Sequence, residues 1–192
     1  MLHIGLQDKT RNEVCRALNT ILADEFVLST RTKSYHWNVT GPHFQELHAF
    51  FGEQYQRLDG LVDRIAERVR ALGGNPPGTL VGFLRFTRLI EHPAVQLSAW
   101  AMVDGLLEDH EILIRDLRED LERNPQLRLD LGTTDLLTLV LQVHEAEAWK
   151  LRSLPEKNAN LKSWLSDQDK MAYRAELPVE GPVSALVKGE WT

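Results

Sequence analysis

Apolar side chains recur along this chain at three- and four-residue intervals, and nowhere in the sustained alternation that marks a strand. A first run covers about 11–38, with Val14, Leu18, Ile21, Leu22 and Leu28 on one stripe. Thr40-Gly41-Pro42 interrupts it, and proline suits the first turn of the next element. A second run reaches about Leu72 through Leu47, Phe51, Leu58, Leu61, Ile65 and Val69. Gly73-Gly74-Asn75-Pro76-Pro77-Gly78 stops it. The connection that follows predicts a short helix over 80–89. Two further runs cover about 94–123 and 133–153, the last with Thr133 or Thr134 as N-cap. The pattern predicts an all-α chain: a four-helix bundle over 11–153, with a short helix in the long crossover between the second and third long helices. Residues 1–10 form an N-terminal extension and 154–192 a tail with one candidate short helix at 161–165.

Composition narrows the setting. No apolar run approaches the roughly 20 residues a membrane span requires. The opening residues lack the basic segment and apolar block of a secretory signal. Cys15 is the only cysteine, so no intrachain disulfide forms; it reads as a small buried helix residue, and a cytoplasmic location is expected. A net charge of −6 with pI near 5.6 argues against a surface built broadly for nucleic acid.

Four side chains carry the candidate chemistry: His36, His48, Asp63 and Glu67. Asp63 and Glu67 are four apart, so on a helix their carboxylates share one face about 5–6 Å apart. His48 lies fifteen residues before Asp63 on the same predicted helix, roughly 22 Å away at 1.5 Å per residue. One metal cannot bridge that distance. If the histidines and carboxylates ligate together, the histidines come from one chain and the carboxylates from another, at a symmetric helix–helix interface. Singly, each residue has a plainer reading. Asp59, Asp63 and Glu67 could be a solvated acidic stripe balanced by Arg64 and Arg68, His48 a packed core residue, and His36 a helix-end histidine favoured by the dipole. Taken together, imidazoles and carboxylates suit Fe(II), although spacing alone does not choose among iron, zinc and manganese.

Two long helices, a crossover with a short helix, then two more long helices describe ferritin-like connectivity. Lys33, His36-Trp37-Asn38-Val39, Gly41, Phe44 and His48, followed by Asp63, Glu67-Arg68 and Leu72-Gly73, make the chain similar to the Dps family, the miniferritins of the ferritin-like superfamily. The resemblance covers about residues 10–153. It implies a hollow homo-oligomer, a dodecamer, that oxidises Fe(II) preferentially with hydrogen peroxide, stores the ferric mineral and limits hydroxyl-radical damage. It also implies that His36 and His48 of one subunit face Asp63 and Glu67 of the two-fold partner, with Trp37 beside the site.

One position departs from the family pattern. Where the family commonly has an acidic ligand, four residues after the second histidine, this chain has Gly52. Glu53, His144, or the pair His110 and Glu111 are candidates to fill the vacancy. His43, His92 and His3 read as surface or loop residues. Glu119, Asp120, Glu122, Asp130 and Asp135 form an acidic region near a helix junction. Two other functions compete. Some Dps relatives compact DNA in the nucleoid through lysine-rich termini. Here the first dozen residues offer only Lys9 and Arg11, and the tail has five basic against six acidic residues, so DNA binding is expected to be weak. The other is a shell whose dimer site holds zinc structurally, with little redox activity.

Overall fold

The computed structural model describes residues 2–91 and 97–154, and within them every regular element is a helix. These are α1 (Asp8–Asn38), α2 (Phe44–Ala71), α3 (Leu80–Phe86), α4 (Ala99–Arg123), α5 (Pro125–Leu129) and α6 (Leu131–Ser153). The long helices α1, α2, α4 and α6 make the bundle. α1 packs along α2, α4 along α6, and α3 lies across α1, where Phe26 and Phe83 stack with ring centroids 3.9 Å apart. No helix among the described residues is long and apolar enough to cross a membrane.

Local chemistry accounts for the boundaries. α1 starts at Asp8, three residues before the expected Arg11, because Asp8 supplies an acidic first turn and pairs with Arg11; residues 8–10 are therefore helix rather than extension. Gly73, at φ +83°, ends α2: its N–H reaches the Arg70 carbonyl at 2.9 Å and Gly74 N–H that of Val69 at 2.9 Å. This 6→1, 5→2 pair closes a helix on a left-handed residue. Gly74 is needed for another reason, since a Cβ there would lie 2.7 Å from Cys15 Sγ. Cys15 is buried as expected, and burial pushes its thiol up, away from the reactive thiolate.

Asn124-Pro125 does not simply end the third long helix. The Asn124 side chain accepts from Gln126 N at 3.0 Å and Pro125 opens α5, a turn the periodicity missed. α6 then begins at Leu131 rather than Thr133, because the Thr133 hydroxyl serves a different purpose. It accepts from Arg68 Nε at 3.0 Å and donates to Asp130 at 2.5 Å, while Arg68 Nη2 donates to both Asp130 oxygens at 2.6 Å. Burial pulls the Asp130 carboxyl upward, but the Thr133 and Arg68 hydrogen bonds outweigh it and hold it below its ordinary value. We expect Arg68→Ala to cost about 1–3 kcal/mol in urea unfolding at pH 7 by leaving Asp130 without its cation and with only Thr133 to hold it. With its folded pKa depressed, Asp130 stabilises the fold above the unfolded value near 3.8 and loses that contribution as pH falls through the folded value. The difference between parent and variant therefore persists down to about pH 4.

α4 begins at Ala99, capped by Ser98 Oγ accepting from Ala101 N at 3.2 Å. His92 and the expected start near residue 94 lie outside the described residues, as does the candidate helix at 161–165. The core is two apolar clusters. One gathers Val14, Leu18, Ile21 and Leu22 with Leu61, Ile65, Leu117 and Leu137. The other gathers Leu28, Tyr35, Leu47 and Phe51 with Leu58, Leu106, Leu113 and Leu151. Along α1 and α6 the residues between the clusters include Glu25, His144 and Glu147, all buried.

Candidate metal centre

His36 sits in the last turn of α1 and His48 in the second turn of α2. The Gly41 turn, at φ +106°, folds the two helix ends together. The rings stack with centroids 3.8 Å apart and planes 19° from parallel. Each is fastened to the other's backbone: His36 Nδ1 lies 2.6 Å from the His48 carbonyl, and His48 Nδ1 lies 2.8 Å from the His36 carbonyl. A carbonyl only accepts, so both Nδ1 atoms carry the proton. In the neutral rings each Nε2 is then a lone pair, and no hydrogen bond among the described residues occupies it. A ligating histidine is ordinarily set up in this way, with one ring nitrogen pinned to the protein and the other offered to a metal.

Other rings surround the pair. Phe44 stacks on His48 with centroids 5.0 Å apart, and Tyr55 meets His36 edge-on at 5.3 Å. Lys33 Nζ lies 5.4 Å from the Tyr55 ring centroid and pairs with Asp59 at 2.8 Å, where Ser29 Oγ also donates at 2.6 Å. Tyr55 was missed from sequence, although it lies seven residues after His48 and so on the same face of α2. Trp37 is 70% exposed beside the site.

The acidic stripe divides. Asp59 is committed to Lys33 and Ser29, whereas Asp63 and Glu67 are exposed and form no ion pair or hydrogen bond among the described residues. Arg68 does not balance them, because it turns inward to Asp130. α2 runs unbroken from Phe44 to Ala71, so the histidine pair and these carboxylates stay near opposite ends of one helix. Among the described residues of one subunit, no group of three or more His, Cys, Asp and Glu side chains is placed to hold a metal.

Gly52 has a structural role the sequence did not disclose. A Cβ there would lie 3.2 Å from His36 Cε1 and 3.3 Å from Nδ1, so the imidazole rests on bare backbone. The side chains considered as substitutes for a ligand at this position are engaged elsewhere. Glu53 pairs with Arg57 at 3.1 Å, Glu111 with Arg152 at 3.1 Å, and His110 and His144 bond to each other inside the bundle. The acidic region near the helix junction is likewise partly neutralised, since Asp120 pairs with Arg88, Glu119 with Arg123 and Asp130 with Arg68. His43 is exposed, with its ring 5.6 Å from Trp100, and His3 is exposed. Gly52→Ala gains up to about 1 kcal/mol of helix propensity but displaces His36 by a few tenths of an ångström. We expect near-neutral stability in urea unfolding with divalent-metal affinity at the histidine pair lowered several-fold, measured side by side on one preparation.

A ferritin-like domain family model matches residues 15–159. An uncharacterised low temperature-induced protein of Nostoc is 46% identical over 155 residues, covering 81% of this chain and 87% of the relative. The DNA protection during starvation protein 2 of Bacillus anthracis is 36% identical over 141 residues, covering 73% and 95%. Among solved structures, the Dps protein of Vibrio cholerae, described as a member of a broad superfamily of ferritin-like diiron-carboxylate proteins, superimposes with a TM-score of 0.73 at 31% identity, covering 80% of this chain and 95% of that one. With its ferritin-like bundle, its helix order and these relatives, the chain belongs to the Dps family of miniferritins.

Proposed function

We propose that the protein oxidises Fe(II) at sites shared between two-fold related subunits, preferentially with hydrogen peroxide, and stores the ferric product inside a hollow shell of twelve chains. Iron storage and protection in general follow from membership of the Dps family. The finer reading is carried by one observation: His36 and His48 are pinned through Nδ1 and leave both Nε2 atoms free, while Asp63 and Glu67 are free at the other end of the same helix. Each half of the constellation is ready to bind and incomplete without the other.

Iron is the substrate in this chemistry. The imidazoles hold Fe(II), the carboxylates favour the harder Fe(III) that forms, and two Fe(II) ions together supply the two electrons that convert peroxide to water. Gly52 contributes no carboxylate, so the proposed site carries two negative charges, from Asp63 and Glu67, with two neutral imidazoles. A cytoplasmic location suits the lone, buried Cys15. Stopped-flow oxidation of Fe(II) by the metal-free assembly tests the reading, comparing peroxide with dioxygen at equal oxidising equivalents. Oxidation well above the buffer rate and faster with peroxide is expected. A rate no different from buffer, with stoichiometric zinc in protein purified without added metal, would replace it with a structural metal site. DNA binding is expected to be weak, and a robust gel shift at moderate salt would overturn that expectation.

A further inference from the structure

Between the two apolar clusters, five polar side chains from all four long helices form one connected, buried chain. Glu147 on α6 accepts from Arg57 at 2.7 Å and Lys150 at 2.9 Å through Oε1, and from Gln54 Nε2 at 3.3 Å through Oε2. Gln54 Nε2 also lies 3.1 Å from His110 Nε2. His110 Nδ1 faces His144 Nδ1 at 2.8 Å, and His144 Nε2 lies 2.6 Å from Glu25 Oε1. Gln54, His110 and His144 are each 0% exposed, as is Glu25. The other buried carboxylates nearby in sequence are held by arginines: Asp24 by Arg88 and Asp109 by Arg31.

Hydrogen-bond logic gives this chain a direction. A carboxylate only accepts, so Glu147 fixes the Gln54 amide with its NH2 inward, and His110 Nε2 must accept from it. His110 Nδ1 then donates to His144 Nδ1, and His144 Nε2 donates to Glu25 Oε1. Both imidazoles are neutral, in opposite tautomers. Burial pushes His110 well below its ordinary value, in keeping with a neutral ring. Two buried atoms are left over: Gln54 Oε1 and Glu25 Oε2.

We propose that this chain is a one-proton switch whose hydrogen bonds all reverse together. A proton arriving at His110 Nε2 sends the Nδ1 proton of that ring to His144 Nδ1, and the Nε2 proton of His144 to Glu25 Oε1. One proton has been added, each ring has exchanged one N–H for the other, and Glu25 has become a neutral acid that donates where it accepted. Neither imidazole remains charged, so the interior accommodates the proton without a buried cation. The reversed chain requires the Gln54 amide to turn over, which gives the orphaned Oε1 a donor, His110 Nε2–H, and releases Glu147. The proton state of the core is thereby communicated to α6 at the end of the chain where Arg57 and Lys150 reach solvent. The network behaves as a relay rather than a metal site, because the two imidazoles spend their facing nitrogens on each other.

The test is histidine-selective 15N magic-angle-spinning NMR of the intact full-length assembly, from pH 8 down to the lowest pH at which it stays assembled. At pH 8 His110 is expected as the Nδ1–H tautomer and His144 as Nε2–H, with both exchanging to the opposite tautomer in one step on acidification. Gln54→Glu places a carboxylate that accepts from His110 Nε2, and it should hold His110 in the Nε2–H form already at pH 8. Tautomers that stay unchanged across the range, or one ring becoming doubly protonated alone, would overturn the switch. The parent titration decides the matter even if the Gln54 variant fails to fold, and neither measurement depends on iron oxidation.

Discussion

Chains carrying His36→Ala with His48→Ala, co-expressed with chains carrying Asp63→Ala with Glu67→Ala, will recover about a quarter of the parent's rate of peroxide-driven Fe(II) oxidation, although each double variant alone is at least about a hundredfold slower. The arithmetic follows from two-fold symmetry. On the proposed shared-site reading, a dimer of the parent holds two sites, each taking histidines from one chain and carboxylates from the other. A mixed dimer holds one site lacking everything and one site entirely intact. Random pairing makes about half the dimers mixed, so roughly one site in four survives. A site confined to one subunit would recover nothing on mixing, because every chain would lack half its ligands. The geometry motivates the test: α2 is continuous between His48 and Asp63, and no local distortion brings its two ends together. Absence of recovery in assemblies shown by mass to contain both chains would sink the shared-site reading while leaving the fold untouched.

What the sequence disclosed and what it concealed divide along physical lines. Helix periodicity identified the four long elements because each must bury a stripe, and the rise per residue alone separated His48 from Asp63. Boundaries were less legible, since the same residue types serve more than one purpose. Pro125 reads as a stop and begins α5; Thr133 reads as a cap, yet its hydroxyl belongs to the Arg68–Asp130 pair. Gly52 was legible as a missing ligand but not as the seat of the His36 ring, because that contact joins two helices. The Gln54–His110–His144–Glu25 chain was the least legible. Periodicity places those residues on inward faces without saying which polar atoms will meet, and the meeting of α1, α2, α4 and α6 at one level is a property of packing.

Arg88→Met will lower the unfolding free energy by about 3–5 kcal/mol at pH 7, the largest stability loss we expect from one surface-reaching side chain. Arg88 follows α3 and ties the crossover to the bundle. Its backbone N–H donates to Asp24 Oδ1 at 2.6 Å and its Nε to Oδ2 at 2.8 Å, while Nη1 reaches Asp120 at 2.8 Å and Nε lies 3.3 Å from Asp116. Asp24 is 0% exposed, and burial already pushes its carboxyl up, with Arg88 the main influence in the opposite direction. Methionine fills similar volume but removes the compensating charge, leaving the buried Asp24 carboxyl only Thr87 Oγ1, at 2.9 Å, and the residue 88 backbone N–H to hold it. The sign of the pH dependence follows. A carboxyl whose folded pKa exceeds its unfolded value binds a proton more tightly when folded, so acidification stabilises the native state until pH passes below about 3.8. The deficit of Arg88→Met should therefore shrink as pH falls from 7 toward 4. Asp24→Asn in the same background should restore much of the loss at pH 7, because the buried charge has gone. Asp116 and Asp120 are about a quarter exposed and can turn to water, so they do not reproduce the effect. A loss below about 1 kcal/mol, or one independent of pH, would mean that Asp24 is already protonated in the parent and that Arg88 serves only the two outer carboxylates.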